Sequence, residues 1–144
     1  FSGLPHRMEF IGTQNGVQFV NDSKATTPHA TISSMRAVSQ VTLIAGGKNK
    51  GIDLKVLGSL RPENVVAIGE ASEEIEEIFQ DICDVKQVST MREALEVSVS
   101  ITRSGGTILL SPSCSSFDWY SSYAERGDDF RSLVHEYIGG NQSG

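Results

Sequence analysis

Residues 41–53 read VTLIAGGKNKGID, and how this stretch is covered decides the fold. Val41-Thr42-Leu43-Ile44-Ala45 is a short, unbroken apolar run, the pattern of a strand buried on both faces. Gly46-Gly47 ends it. Such strands occur in sheets flanked by helices, and the chain on either side alternates accordingly. Upstream, Pro28 suits the first turn of a helix carrying Ile32, Met35 and Val38 at spacings of three. Downstream, a short helix is predicted around Leu54 to Leu60, then a strand at Val65 to Ile68.

Farther along, Ser72 begins a segment with Ile75, Ile78, Phe79 and Ile82 on one helical face. Val85 to Val88 reads as a short strand, and Ser89 or Thr90 can cap a helix whose Met91, Leu95 and Val99 align. Thr107 to Leu110 is another buried strand. The last helix carries Phe130, Leu133, Val134 and Tyr137, and the Gly139 to Gly144 tail reads as frayed. At the other end, Met8 to Thr13 and Val17 to Asn21 flank Gln14-Asn15-Gly16, a hairpin signal. The hairpin is followed by α-β-α-β-α-β-α-β-α, which predicts an α/β domain over residues 1–144. Its sheet should be mostly parallel, with an N-terminal β-hairpin, helices on both faces and right-handed crossovers. There is no internal repeat, low-complexity run or linker.

The chain's 144 residues suit one domain, given the usual roughly 100–200 residues per domain. With 38% hydrophobic and 21% charged residues the composition is globular rather than disordered. Twelve basic against 18 acidic residues give a net charge of −6, which argues against a nucleic-acid partner that needs a broad positive surface. No apolar run approaches the roughly 18 residues of a membrane span. The start, Phe1-Ser2-Gly3-Leu4-Pro5-His6-Arg7, has no signal-peptide pattern and no Met, so a piece of a longer protein is expected. Cys83 and Cys114 lack disulfide-framework or metal-site spacing and suit a reducing, cytosolic setting. His6, His29 and His135 are scattered singly, which argues against intrinsic metal chemistry.

In a parallel α/β sheet, ligands bind beyond the carboxyl ends of the strands. Three loops there carry unusual content: Asn21-Asp22-Ser23-Lys24-Ala25-Thr26-Thr27-Pro28, Gly46-Gly47-Lys48-Asn49-Lys50-Gly51-Ile52-Asp53 and Ser111-Pro112-Ser113-Cys114-Ser115-Ser116-Phe117-Asp118. Together they gather Lys24, Lys48, Lys50, several hydroxyls and helix N-termini on one edge of an acidic protein. Ammonium groups supply charge, hydroxyls supply directed donors and helix starts supply free N–H groups, a combination suited to a small anion. Any one loop alone also reads as ordinary caps and turns, and Asp22 suits a helix cap. No G-x-G-x-x-G and no G-x-x-x-x-G-K-[ST] occurs, so neither a dinucleotide nor ATP phosphates have a dedicated loop here. Cys114 has no histidine close in sequence to activate it, and Ser113 is not in a G-x-S-x-G elbow.

The segments GLPHR (3–7), NGVQFVNDSKAT (15–26), LIAGGKNKGID (43–53), LLSPSCSSFD (109–118) and ERGDDF (125–130) occur in an order that resembles the C-terminal domain of the Mur ligases. The chain is most similar to members that add D-glutamate to UDP-N-acetylmuramoyl-L-alanine, and the likeness covers essentially its whole length. The resemblance implies a Rossmann-like three-layer domain that delivers the amino acid. Separate N-terminal and central domains would bind the UDP-sugar and ATP, with Mg²⁺ and a carbamylated lysine in the central one. It implies activation of the sugar's carboxylate as an acyl phosphate, attack by the D-glutamate amine, and a place in bacterial cytoplasmic peptidoglycan synthesis.

By the same resemblance, Thr26 and Lys50 correspond to residues holding one carboxylate of D-glutamate, and Ser116, with the backbone near Phe117 and Tyr123, to the clamp on the other. Lys24 corresponds to a catalytic lysine close to substrate and phosphates, and Arg7 and Asp22 to residues that reach ATP when the domains close. Thr27, Lys48 and Tyr123 depart from the common pattern, and Arg126 reads as support for the last helix. Two rivals stand beside this reading: a folylpolyglutamate-type glutamate ligase, and a stand-alone module binding an acidic metabolite. The domain alone is expected to be inactive and to bind no cofactor by itself, because approximation fails without partners to hold the other substrates.

Overall fold

Asn15 and Gly16 both take positive φ, 54° and 76°, the pair of left-handed residues that a tight hairpin turn requires. Around them β1 (Glu9–Gln14) and β2 (Val17–Asn21) pair antiparallel. In this computed structural model, which describes residue 1 and residues 3–143, the remaining elements follow in the expected alternation. They are α1 (Pro28–Met35), β3 (Val41–Gly46), a 3₁₀ turn (Lys55–Ser59), β4 (Asn64–Ile68), α2 (Ser72–Phe79), β5 (Asp84–Gln87), α3 (Met91–Ile101), β6 (Thr107–Ser113) and α4 (Tyr123–Ser143). The sheet order is β1-β2-β6-β3-β4-β5, and every pairing except β1–β2 is parallel.

Side chains along a strand alternate between faces, and here both faces are covered. Ile44, Val66, Ile68, Ile108 and Leu110 pack under α3 and α4, against Leu95, Phe130 and Val134. Their neighbours Leu43, Ala45, Val65, Ala67 and Leu109 pack on the opposite face with Leu57, Ile75 and Phe79. Full burial of a side chain such as Phe79 contributes roughly 1.5–3 kcal/mol. The continuous apolar runs of β3 and β6 are thus the signature of a three-layer α/β domain.

Most ends shift by a residue from the sequence reading, and the larger differences lie at α1, α2, β6 and α4. α1 stops at Met35 because the following amides of Arg36, Ala37 and Val38 bond three residues back and tighten the turn. Val38 lies beyond the helix yet still packs on the core, as does Ile82 after α2. β6 continues past Leu110 to Ser113. Between Ile44↔Leu110 and Gly46↔Ser113, β3 advances two residues and β6 three. That bulge admits Pro112 into a central strand, where its missing N–H would otherwise break the ladder. α4 begins at Tyr123 and runs to Ser143, so the Gly139–Ser143 stretch expected to fray is helical; Gly144 lies outside the described residues. No helix among the described residues is long and apolar enough to cross a membrane.

The topology also fixes where a ligand can sit. β2, β6 and β3 are adjacent, but β2 and β3 lead to elements on one face and β6 leads to α4 on the other. Loops leaving in opposite directions open a crevice at the carboxyl edge of the sheet.

Candidate functional site

The loop after β2 is held by its own buried polar groups. Ser23 N donates to Asn21 Oδ1 (3.1 Å), and Ala25 N donates to the Asp22 carbonyl (2.9 Å). Ser113 N donates to the Ala25 carbonyl (2.9 Å), tying this loop to the end of β6. The cap of α1 is Thr27, whose Oγ1 accepts from Ala30 N (3.3 Å), and not Asp22. Asp22 instead is buried between the N-terminal segment, α1 and β6, 3% exposed. Its Oδ2 accepts from Ser34 Oγ (2.5 Å) and Ser111 Oγ (2.7 Å), and its Oδ1 from Met8 N (3.0 Å). Burial raises the pKa of Asp22 above the ordinary carboxylate value, with these hydrogen bonds pulling the other way.

The loops after β3 and β6 are stitched to each other. Lys48 N donates to the Ser115 carbonyl (2.9 Å) and Ser115 N to the Lys48 carbonyl (3.2 Å). Gly47 permits this approach: its φ is 128°, and a Cβ there would stand 2.4 Å from the Ser115 carbonyl oxygen. Asn49 knots the loop, donating to the Ile52 carbonyl (2.9 Å) and accepting from Ile52 N (2.8 Å). Ser113 sits at φ 68° and is buried, a strained non-glycine conformation of the kind that clusters at functional sites. Its Oγ donates to Thr31 Oγ1 (2.7 Å), which anchors the turn into the β6 loop.

Between these loops lies a cavity of about 360 Å³. Thr26, Lys50, Ser116, Phe117 and Tyr123, separated by up to 97 positions (26 to 123), all line it. Lys50 Nζ stands 4.3 Å from the centre of the Phe117 ring, a cation–π contact. Lys24 is exposed beside the cavity, its Nζ 6.0 Å from the centre of the Tyr123 ring. Arg7 is exposed on the segment before β1. The fold therefore gathers five of the eight candidate residues around one cavity, sets Lys24 at its edge, and places Arg7 and Asp22 on the flank formed by the N-terminal segment and β2.

That flank is docked by His6. Its ring, 8% exposed, lies against Asn21 Nδ2 (3.0 Å from Nδ1), the Tyr123 ring (6.0 Å between centres) and Asp128 (3.5 Å). The glycine of ERGDDF makes room, since a Cβ on Gly127 would stand 2.1 Å from His6 Nδ1.

Lys48, Asn49, Ile52, Ser113 and Thr27 also line the cavity. Their loops were legible from the sequence, but which side chains turn inward follows from the Lys48–Ser115 bridge and the bulge at Pro112. Cys114 lines the cavity too, yet it is 2% exposed and burial pushes its thiol up to about 12, so it is a protonated wall and not a nucleophile. Among the described residues no three histidine, cysteine, aspartate or glutamate side chains are grouped to hold a metal.

Residues 6–114 match the family model described as "Mur ligase, glutamate ligase domain". The chain is 44% identical over 139 residues to a UDP-N-acetylmuramoylalanine–D-glutamate ligase of Aquifex aeolicus, covering 93% of this chain and 34% of that protein. The protein of the same name from Chlorobaculum parvum is 41% identical over 140 residues, covering 94% and 30%. The chain thus spans about a third of the length of these curated relatives. Among solved structures, UDP-N-acetylmuramate–alanine ligase MurC from Thermotoga maritima superposes with a TM-score of 0.62 at 15% identity, covering 96% of this chain and 31% of that one. A bifunctional folylpolyglutamate synthase/dihydrofolate synthase from Yersinia pestis gives 0.62 at 15%, covering 92% and 32%. At that identity the structural likeness establishes the fold alone.

Proposed function

We infer that this chain, which belongs to the Mur ligase family through its glutamate ligase domain, is the amino-acid-delivering domain of a bacterial cytoplasmic ligase that adds D-glutamate to UDP-N-acetylmuramoyl-L-alanine. The observation that carries this is the cavity at the carboxyl ends of β2, β3 and β6, lined by Lys48, Lys50 and hydroxyls in an otherwise acidic protein. A dianionic amino acid needs cationic and hydroxyl donors for both carboxylates, set apart so that its amine stays free. Thr26 and Lys50 are assigned one carboxylate. Ser116 is assigned the other, with the backbone near Phe117 and the Tyr123 ring closing the side. The identity to D-glutamate ligases, 41–44% over most of the chain, supports this substrate over the folate-type alternative.

ATP and Mg²⁺, held by the rest of such a ligase, would activate the sugar's terminal carboxylate as an acyl phosphate. The residues of this chain offer neither a phosphate-binding glycine loop nor a cluster of metal ligands among those described, and no step is assigned to a site of its own for them. Its part is to hold the amine in line with the activated carbonyl, so that attack forms the amide and phosphate leaves. Lys24, exposed beside Tyr123, is assigned the developing negative charge on the transferred group. Arg7 is assigned the nucleotide. Asp22 contributes to that side by holding the Met8 amide next to Arg7.

The test is phosphate release by the full-length ligase with UDP-N-acetylmuramoyl-L-alanine and either D- or L-glutamate. Turnover dependent on D-glutamate is expected; turnover only when a folate and L-glutamate replace these substrates would favour the folate-type reading, and turnover with neither pair would favour a binding module. The chain alone should release no phosphate under the same conditions, and measurable turnover would show that it holds all three substrates itself.

A further inference from the structure

Arg126 is the largest side chain buried in the protein's described part, 1% exposed, and it has no carboxylate within ion-pair distance among the described residues. It enters from the first turns of α4. Nε donates to Ser23 Oγ (2.9 Å) and Nη2 to the Ser23 carbonyl (2.9 Å). Ser23 Oγ in turn donates to the Tyr123 carbonyl (2.7 Å), closing a bracket between the β2 loop and the start of α4. Nη1 is buried with no hydrogen-bond partner among the described residues.

The position of that free N–H is informative. A Cβ built on Gly47 would lie 3.3 Å from Nη1, 3.2 Å from Cys114 Cβ and 2.4 Å from the Ser115 carbonyl oxygen. Nη1 therefore ends beneath the seam of the β3 and β6 loops, where Lys48, Cys114 and Ser115 form the cavity wall. Burial lowers the guanidinium to about 10, so it is still charged at neutral pH. A buried cation without a counterion is unfavourable unless something nearby supplies negative charge. Among carboxylates Asp118 offsets this charge most, from beyond ion-pair distance, while its oxygens accept from the amides of Glu70 (2.9 Å) and Trp119 (2.9 Å).

We propose that Arg126 is a positioning residue for the dianionic amino acid: its unpaired guanidinium, with Nη1 left free, makes the cavity floor positive, while its bracket on Ser23 fixes the loop that carries Thr26. The proposal rests on the reading of this cavity as the amino-acid site. It explains why the orphaned charge is placed under the loops that receive carboxylates, and it assigns Arg126 a role beyond supporting α4. A unit charge a few ångströms below a partly screened site is worth on the order of tenfold in binding constant.

The experiment is steady-state kinetics of the full-length ligase with wild type, Arg126→Met, Arg126→Lys and Ser23→Ala, with melting temperatures alongside. Arg126→Met should raise KM for D-glutamate about tenfold while KM for ATP and for the UDP-sugar stays put. Arg126→Lys, which keeps the charge and loses the fork, should stay within about threefold of wild type in that KM. Ser23→Ala cuts the bracket and keeps the charge; it should lower the melting temperature and raise KM for D-glutamate by less than Arg126→Met does. If Arg126→Met does not fold, Arg126→Gln against Arg126→Lys gives the same neutral-versus-charged contrast. Equal KM effects of the charged and neutral variants, or no effect of the neutral one, would overturn the proposal. Absence of D-glutamate turnover by wild type would overturn the underlying substrate reading instead.

Discussion

Cys114 illustrates how far a single residue can be read from sequence. Its serine-rich loop resembles a nucleophile's surroundings, yet it stands 2% exposed in the cavity wall, with burial pushing its thiol to about 12. Cys83, half-buried near the opposite edge, is pushed to about 11 by burial and by Asp84. Alkylation at pH 8 followed by peptide mass spectrometry should therefore modify Cys83 first and Cys114 only on unfolding; equal rates would contradict a sealed wall. Topology alone marked the loops that carry Thr26, Lys50 and Ser116, each after a strand, and the resemblance to the Mur ligase C-terminal domain singled out these three within them. The environment of Arg126 was not legible. Its hydrogen-bond partner Ser23 is 103 positions away, and no periodicity encodes an unpartnered guanidinium.

At the scale of elements, the helices and strands followed from apolar spacing, while their ends were decided by contacts between elements. β6 outran its apolar run because the bulge at Pro112 lets the strand reach the site. α4 started earlier than its apolar stripe because Ser122 Oγ accepts from Glu125 N (3.0 Å) and so caps the helix. Gly127 tests the docking of the N-terminal segment on this helix. In a free helix, glycine to alanine stabilises by about 1 kcal/mol. Here the added Cβ would collide with His6, so Gly127→Ala should destabilise by about 1–3 kcal/mol in denaturant unfolding. A stabilised variant would show that His6 does not seat there.

A second contact on the same helix gives a pH signature. Burial alone would raise the Glu9 carboxyl, but hydrogen bonds from His6 N, Arg131 and Asn21 lower it below its ordinary 4.5. A lowered carboxyl gives stability that is complete above its unfolded value and is lost as pH falls through the folded one. Melting temperatures between pH 6 and 3 should accordingly fall less steeply for Glu9→Gln than for wild type. Asp22, raised by burial, works in the opposite sense, its stabilisation being present at low pH and lost as pH rises. Parallel curves would remove Glu9 from the acid transition.

For the whole molecule, the net charge of −6 and the cationic cavity describe different scales of one surface. The acidic total describes the surface as a whole, whereas two loops separated in sequence bring Lys24 and the pair Lys48 and Lys50 to one edge. The alternation of elements was enough to locate that edge. It could not give the cavity's shape, which depends on the exchange of hydrogen bonds between Lys48 and Ser115 and on the strained turn at Ser113. In the proposed function this cavity holds the amino-acid substrate through Lys50. The direct test is the KM for D-glutamate of the full-length ligase carrying Lys50→Ala. Losing a charge-assisted contact of roughly 1.5–3 kcal/mol should raise KM at least about tenfold. An unchanged KM would place D-glutamate elsewhere and overturn the assignment of Lys50 to its carboxylate.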